Sequence, residues 1–148
     1  MQAMDLWGID LEAHQASPLG HALLNDTALI LTMAREHLLV VGRLDPPALQ
    51  RSTTLKCLAE AGEWLMSRID EGAVASEKQA SQRIKSVLAF LGERYSGQEF
   101  LADMQSRSSD IIDPIGSSLR VYIDVLEDIE RCLAAVMPVL FGRPAEPQ

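Results

Sequence analysis

The side chains in this sequence that could do nucleophilic, acid–base or metal chemistry are few: His14, His21 and His37, with Cys57 and Cys132, beside a larger stock of carboxylates. A metal centre in a helical bundle needs carboxylates and histidines at matched turns, typically Glu-x-x-His on paired helices. The residues three positions before the histidines are Leu11, Pro18 and Ala34. No two histidines have zinc-ligand spacing and Cys-x-x-Cys is absent. Gly-x-Ser-x-Gly, a recognisable Cys–His arrangement and a glycine-rich phosphate loop are missing too. The residues therefore predict no metal, no cofactor, no catalytic residue and no enzyme.

His37 keeps a chemical reading open. It lies in ALILTMAREHLLVVG, residues 28–42, the most apolar run of the chain. Placed on a helix at about 100° per residue, His21, Asn25, Thr32, Arg35 and Glu36 gather on one side. The wider remaining arc is apolar and contains His37, in line with Asp26, Ile30 and Met33. There His37 is either a buried base, metal ligand or pH switch, or a histidine hydrogen-bonded at the edge of a core. Asp26 is about 16 Å away along such a helix, too far to join it at one site. Only Thr27–Ala34 separate Asp26 from Arg35, far short of the roughly 20 apolar residues a membrane span requires.

The acidic run DVLEDIE, with Asp124, Glu127, Asp128 and Glu130, reads as a solvated helix face, with Glu127 spaced to pair with Arg131. Asp124 and Asp128 repel at their spacing, and Lys78, Arg83, Lys85 and Arg94 of an earlier helix would relieve them if the two faces adjoin. Otherwise each face is a separate surface for a partner. Cys132 falls in an apolar stripe and is expected in the core; Cys57, near a polar edge, is left open.

Punctuation residues set out the elements that must position these groups. Ser17-Pro18 opens a helix that Gly42 closes; Asp45-Pro46 opens another that runs to Gly72. Ser76 with Gln79, and Ser96 with Glu99, have capping-box spacing. Asp113-Pro114 must break the stretch from Gln98 to Phe141, because proline disfavours helical geometry before it. The expectation is an all-α fold, a bundle of four to five antiparallel helices at about 18–41, 46–71, 77–95, 98–109 and 114–140. Residues 1–16 form an apolar and acidic N-terminal segment, 17–141 a single domain and 142–148 a flexible tail.

The last helix carries the strongest pattern. Ile115, Leu119, Tyr122, Leu126, Ile129, Leu133, Val136 and Leu140 follow alternating steps of four and three, the spacing of a left-handed helical seam. Val121, Val125, Cys132 and Val139 form a second stripe beside it. Two helices with wide apolar faces are hard to cover from 148 residues, and self-association into a homodimer is the simplest remedy. The alternative cover is residues 1–16, where Leu6, Trp7, Ile9 and Leu11 are too apolar for a free tail; Trp7 docks on its own bundle or in a groove of another protein.

Composition narrows the partners. A net charge of −8 argues against phosphate backbones and anionic lipid, so neither nucleic acid nor a membrane surface is expected. Two cysteines form neither a disulfide framework nor a zinc set, and the acidic first residues do not resemble a secretory leader, which points to the cytoplasm. The resulting expectation is a non-enzymatic protein–protein interaction module of adaptor, chaperone or inhibitor type. It would self-associate through the C-terminal helix, with Tyr122, Leu126, Ile129, Leu133 and Trp7 at interfaces. The alternative is a small-molecule-binding helical sensor, its apolar pocket between the first and last helices and His37 or Tyr122 as polar contact.

Overall fold

A computed structural model describes residues 4, 6–67, 77–94 and 110–142 of the chain. Helix predominates, but a small parallel sheet stands where the sequence predicts only antiparallel helices. In chain order the elements are α1 (His21–Asn25), β1 (Ile30–Thr32), α2 (Arg35–Leu44), a 3-10 helix (Pro46–Arg51), β2 (Ser52–Thr54), α3 (Leu55–Glu60), α4 (Gly62–Met66), α5 (Glu77–Arg94) and α6 (Leu119–Phe141). The two strands pair Ile30 with Ser52, Leu31 with Thr53 and Thr32 with Thr54. Parallel neighbours cannot be joined by a tight turn; here α2 and the 3-10 helix make the crossover.

The apolar run that reads as one helix over 18–41 is therefore α1, a strand and the first part of α2. The reason lies in where its side chains go. Leu29 and Leu31 pack on the main core, formed by Leu55, Leu58, Ala61, Leu65, Val87, Leu91, Cys132, Val136 and Val139 among others. Ile30 packs the other way, on a smaller core of Leu24, Val41 and Ala48. A strand covered on both faces needs apolar residues at every position, and an apolar run this short has no period that separates it from a buried helix. Gly42 does not end α2; it lies within it, and a Cβ there would meet Leu49 Cδ1 at 2.8 Å, so the glycine makes room for the 3-10 helix.

The helix expected over 46–71 is likewise divided. Asp45 and Pro46 do start an element, but a 3-10 one, and Asp45 uses its carboxylate on Arg51 at 3.4 Å rather than as a cap. Arg51 also donates to the carbonyl oxygens of Thr27 and Leu24, tying the crossover to the end of α1. Ser52, Thr53 and Thr54 then form the strand, and the Thr54 hydroxyl caps α3 by accepting from the Cys57 backbone N–H at 3.1 Å. Such a cap contributes about 1 kcal/mol.

The third and last helices come closest to expectation. α5 occupies nearly the residues expected of it, and α6 begins at Leu119, after a turn in which Gly116 takes φ +80°, rather than at Pro114. Pro138 stays inside α6. The carbonyls of Pro138 and Val139 near its end accept from the Arg83 guanidinium, at 3.2 Å each, so this basic residue of α5 is buried as a helix terminator. α4 lies against α6 where Gly62 would place a Cβ 3.3 Å from the Ala135 carbonyl. The short helix expected over 98–109, the cap pair Ser96 and Glu99, and the tail beyond Gly142 lie outside the described residues.

Candidate functional site

Ligands of open parallel sheets sit at the carboxyl ends of the strands, and here that end carries the densest polar network among the described residues. β1 leads through Met33 and Ala34 into α2, whose first residue, Arg35, is 9% exposed. Its backbone N–H and Nε both donate to Asp110 Oδ1 at 2.9 Å, and Nη2 donates to Oδ2 at 2.9 Å. The fork of the guanidinium thus meets the carboxylate at two points. The neighbouring Ile111 N–H donates to the Met33 carbonyl at 2.8 Å, fastening the chain at 110–111 to the end of β1.

β2 supplies the other half through α3. Lys56 Nζ lies 3.4 Å from the Asp110 carbonyl oxygen and 2.8 Å from Asp128 Oδ2. Asp128 also takes Arg131 Nη1 at 2.9 Å, while Asp124 pairs with Arg120 at 3.0 Å. The repulsion anticipated between Asp124 and Asp128 is thus relieved by Arg120, Lys56 and Arg131, and Arg131 pairs with Asp128 three residues back. Past this network Asp113 Oδ1 accepts from the Ile115 N–H at 3.0 Å, folding the Asp-Pro turn that leads toward α6. Ile112 and Ile115 stand out from it, 71% and 81% exposed.

The cluster alternates cation and anion from Arg35 through Asp110, Lys56 and Asp128 to Arg131, so each carboxylate in it has cationic neighbours on both sides. It can hold the residues around Asp110 against the sheet and present a rim of fixed polarity. Among the described residues there is no group of three or more His, Cys, Asp or Glu side chains that could hold a metal ion.

Beside the network lies Cys132, whose thiol is pushed above its ordinary range by burial and by the nearby Asp128, against an opposing pull from Lys56 and Arg131. Cys57 is buried as well, and neither cysteine is in a disulfide. Both thiols should stay silent toward Ellman's reagent in native buffer at pH 8 and react on addition of denaturant; a stoichiometric native reaction would contradict their burial. Because the Cys132 value is raised in the folded state, its contribution to stability is complete below the unfolded thiol value of about 8.5. It is lost as pH rises through the folded value.

The residues singled out from sequence are dispersed. His37 is exposed in the first turn of α2, its backbone N–H donating to the Ala34 carbonyl, and not in an apolar arc. Trp7 is half-buried and donates from Nε1 to Glu130 Oε2 at 3.4 Å, which brings the N-terminal segment to α6. Tyr122, Leu126 and Ile129 are half-buried along α6, and Leu133 is 41% exposed. An open cavity of about 860 Å³ lies between α2, the 3-10 helix and α5, lined by Leu38, Leu49, Leu88 and Leu91; neither His37 nor Tyr122 reaches it.

Sequence reasoning does not bring Arg35, Asp110 and Lys56 together as a site. Its one signal is a charge inside the most apolar run, which reads equally well as a solvated helix face. No helix among the described residues is long and apolar enough to cross a membrane. No protein-family model, curated protein or solved structure matches this chain.

Proposed function

We propose that the chain is a non-enzymatic protein-interaction module that self-associates through α6, as a dimer in the cytoplasm, and presents further surface to another protein. One observation carries this reading: Leu133, Met137 and Phe141, spaced four apart on one stripe of α6, are 41%, 48% and 55% exposed. They continue the half-buried line of Tyr122, Leu126 and Ile129. The opposite flank, Cys132, Val136 and Val139, is already inside the main core, so the exposed stripe is available to a second copy. Apolar stripes of this kind mark interfaces more often than they remain wetted. Two buried thiols outside any disulfide suit a reducing compartment.

Light scattering over a range of protein concentrations tests it. The wild-type chain should approach twice the monomer mass, and a Leu133→Glu, Met137→Glu double variant should remain monomeric with unchanged circular dichroism. A wild-type chain monomeric at high concentration overturns the reading. The second reading, a small-molecule-binding helical sensor, is favoured by the 860 Å³ cavity and its leucine lining. Native mass spectrometry of the same sample separates the two: a bound small mass on a monomer supports the sensor, a bare dimer the interaction module.

A further inference from the structure

The N-terminal segment reaches α6 within the stripe proposed to meet a second copy. Trp7 and Ile9 close a turn by donating their backbone N–H groups to the Met4 carbonyl at 3.0 and 3.1 Å, with Gly8 in the left-handed region at φ +66°. The turn has two sides: Met4 and Trp7 are half-buried, while Leu6 is 66% exposed. From the inward side the Trp7 indole donates to Glu130 Oε2 at 3.4 Å. On a helix Glu130 shares its face with Leu126 four positions before it, Leu133 and Ala134 three and four positions after it, and Met137 two turns on. The indole is thus held where half-buried Leu126 gives way to exposed Leu133 and Met137. The seat is shallow. Among the described residues the other hydrogen bonds of residues 6–16 stay within the segment, as those of Glu12 to Asp10 and of His14 to Leu11 do. Residues 1–16 hold three acids and no Lys or Arg, so on a chain of net charge −8 charge gives them no attraction to the rest. A 3.4 Å bond open to water adds little, and the half-burial of Met4 and Trp7 is what holds the turn.

From this geometry we infer that the N-terminal turn is an autoinhibitory cover of α6: the turn and a second copy compete for one stripe, and the chain self-associates only as the turn is displaced. Packed helices run with their axes about 8–10 Å apart, which leaves no layer between them for an indole held at Glu130. The turn is tethered to its site, so it prevails in dilute solution; a second copy prevails as concentration rises. The two covers open to α6 from the sequence, residues 1–16 and another copy of the chain, become alternatives in one equilibrium. The inference rests on self-association through α6 and adds what regulates it.

Light scattering and fluorine NMR on the full chain test it, with 5-fluorotryptophan at Trp7 and Trp64 and with Trp7→Phe to assign the two resonances. As the wild-type mass rises with concentration, the Trp7 resonance should shift in step with it. The resonance of Trp64, which packs on Phe90 with ring centroids 4.8 Å apart, should stay in place. Trp7→Ala should lower the dimer dissociation constant about tenfold, because the cover is weakened and no residue of the stripe has changed. The Leu133→Glu, Met137→Glu variant should remain monomeric, with its Trp7 resonance fixed at every concentration. A wild-type chain that dimerises, with a dissociation constant that Trp7→Ala leaves unchanged or raises, overturns this inference and leaves self-association standing. Wild type and Trp7→Ala both monomeric at high concentration overturn the two together. A dimer formed by Trp7→Ala alone supports the cover and overturns the wild-type dimer. A Trp7 resonance that stays in place while the mass doubles, or that moves with concentration in the double variant, also overturns the inference.

Discussion

Replacing Asp110 with alanine should lower the stability of the chain by about 3–5 kcal/mol, read from urea unfolding with an unchanged m-value. The Arg35 and Asp110 side chains are 10% and 26% exposed, and three donors of Arg35 converge on the one carboxylate. Without it the largely buried guanidinium loses the two-point contact with this carboxylate, and the first N–H of α2 loses an acceptor that also complements the helix dipole. Asp110→Asn keeps an acceptor and loses the charge, so an intermediate cost of about 1–3 kcal/mol is expected. A double variant carrying Arg35→Met and Asp110→Ala should cost less than the sum of its single changes, because both remove the same contact. A cost under about 1 kcal/mol for Asp110→Ala would mean that the pair behaves as a screened surface bridge.

That pair also marks the limit of what periodicity reports. A helical projection groups Arg35 with Thr32 and Glu36 as a wet side, the simplest explanation when only spacing is available. In the fold Thr32 ends a strand and donates to the Ala34 carbonyl at 3.0 Å, Arg35 starts a helix, and their shared angular position has no meaning. The partner, Asp110, is 75 residues away, and no local pattern reports a contact at that separation. Local chemistry is legible where it acts locally. α5 begins where the sequence opens a helix, the Asp113-Pro114 break precedes α6, and Cys132 falls in the core as expected, whereas Val136, expected in the self-association seam, is buried in the same core.

The strands escape sequence reading for a physical reason. The sequence ILT between Leu29 and Met33 is apolar at nearly every position because both of its faces are covered, which erases the alternation that marks a half-buried strand. A run that is apolar on more than one side has two solutions, a helix buried all round or a strand between two layers, and this chain takes the second. STT at 52–54 is hidden differently, as polar residues in a segment opened by Pro46. Their hydroxyls are satisfied locally, Ser52 on the Ala48 carbonyl at 2.6 Å and Thr54 as the cap of α3. That allows threonine and serine to be wholly buried.

Leu58→Ala should cost about 2–5 kcal/mol, the range for deleting a fully buried leucine without collapse of the site. Leu58 is 0% exposed on α3, in the core shared with α6. Its cavity would open between two helices held apart by their own backbones, close to where Gly62 of α4 meets Ala135, so little relaxation is available. Leu24→Ala, at 1% exposure in the smaller core, should fall lower in the same range, because that core has fewer buried members to lose contact with. Ile112→Ala, at 71% exposure, should stay within about 0.5 kcal/mol of wild type. The Leu58 and Leu24 changes together decide whether the sheet separates two independent cores or transmits between them. Independent cores require additivity within about 0.5 kcal/mol. A larger discrepancy would show that β1, which packs Leu31 on one core and Ile30 on the other, couples the two layers through its three residues.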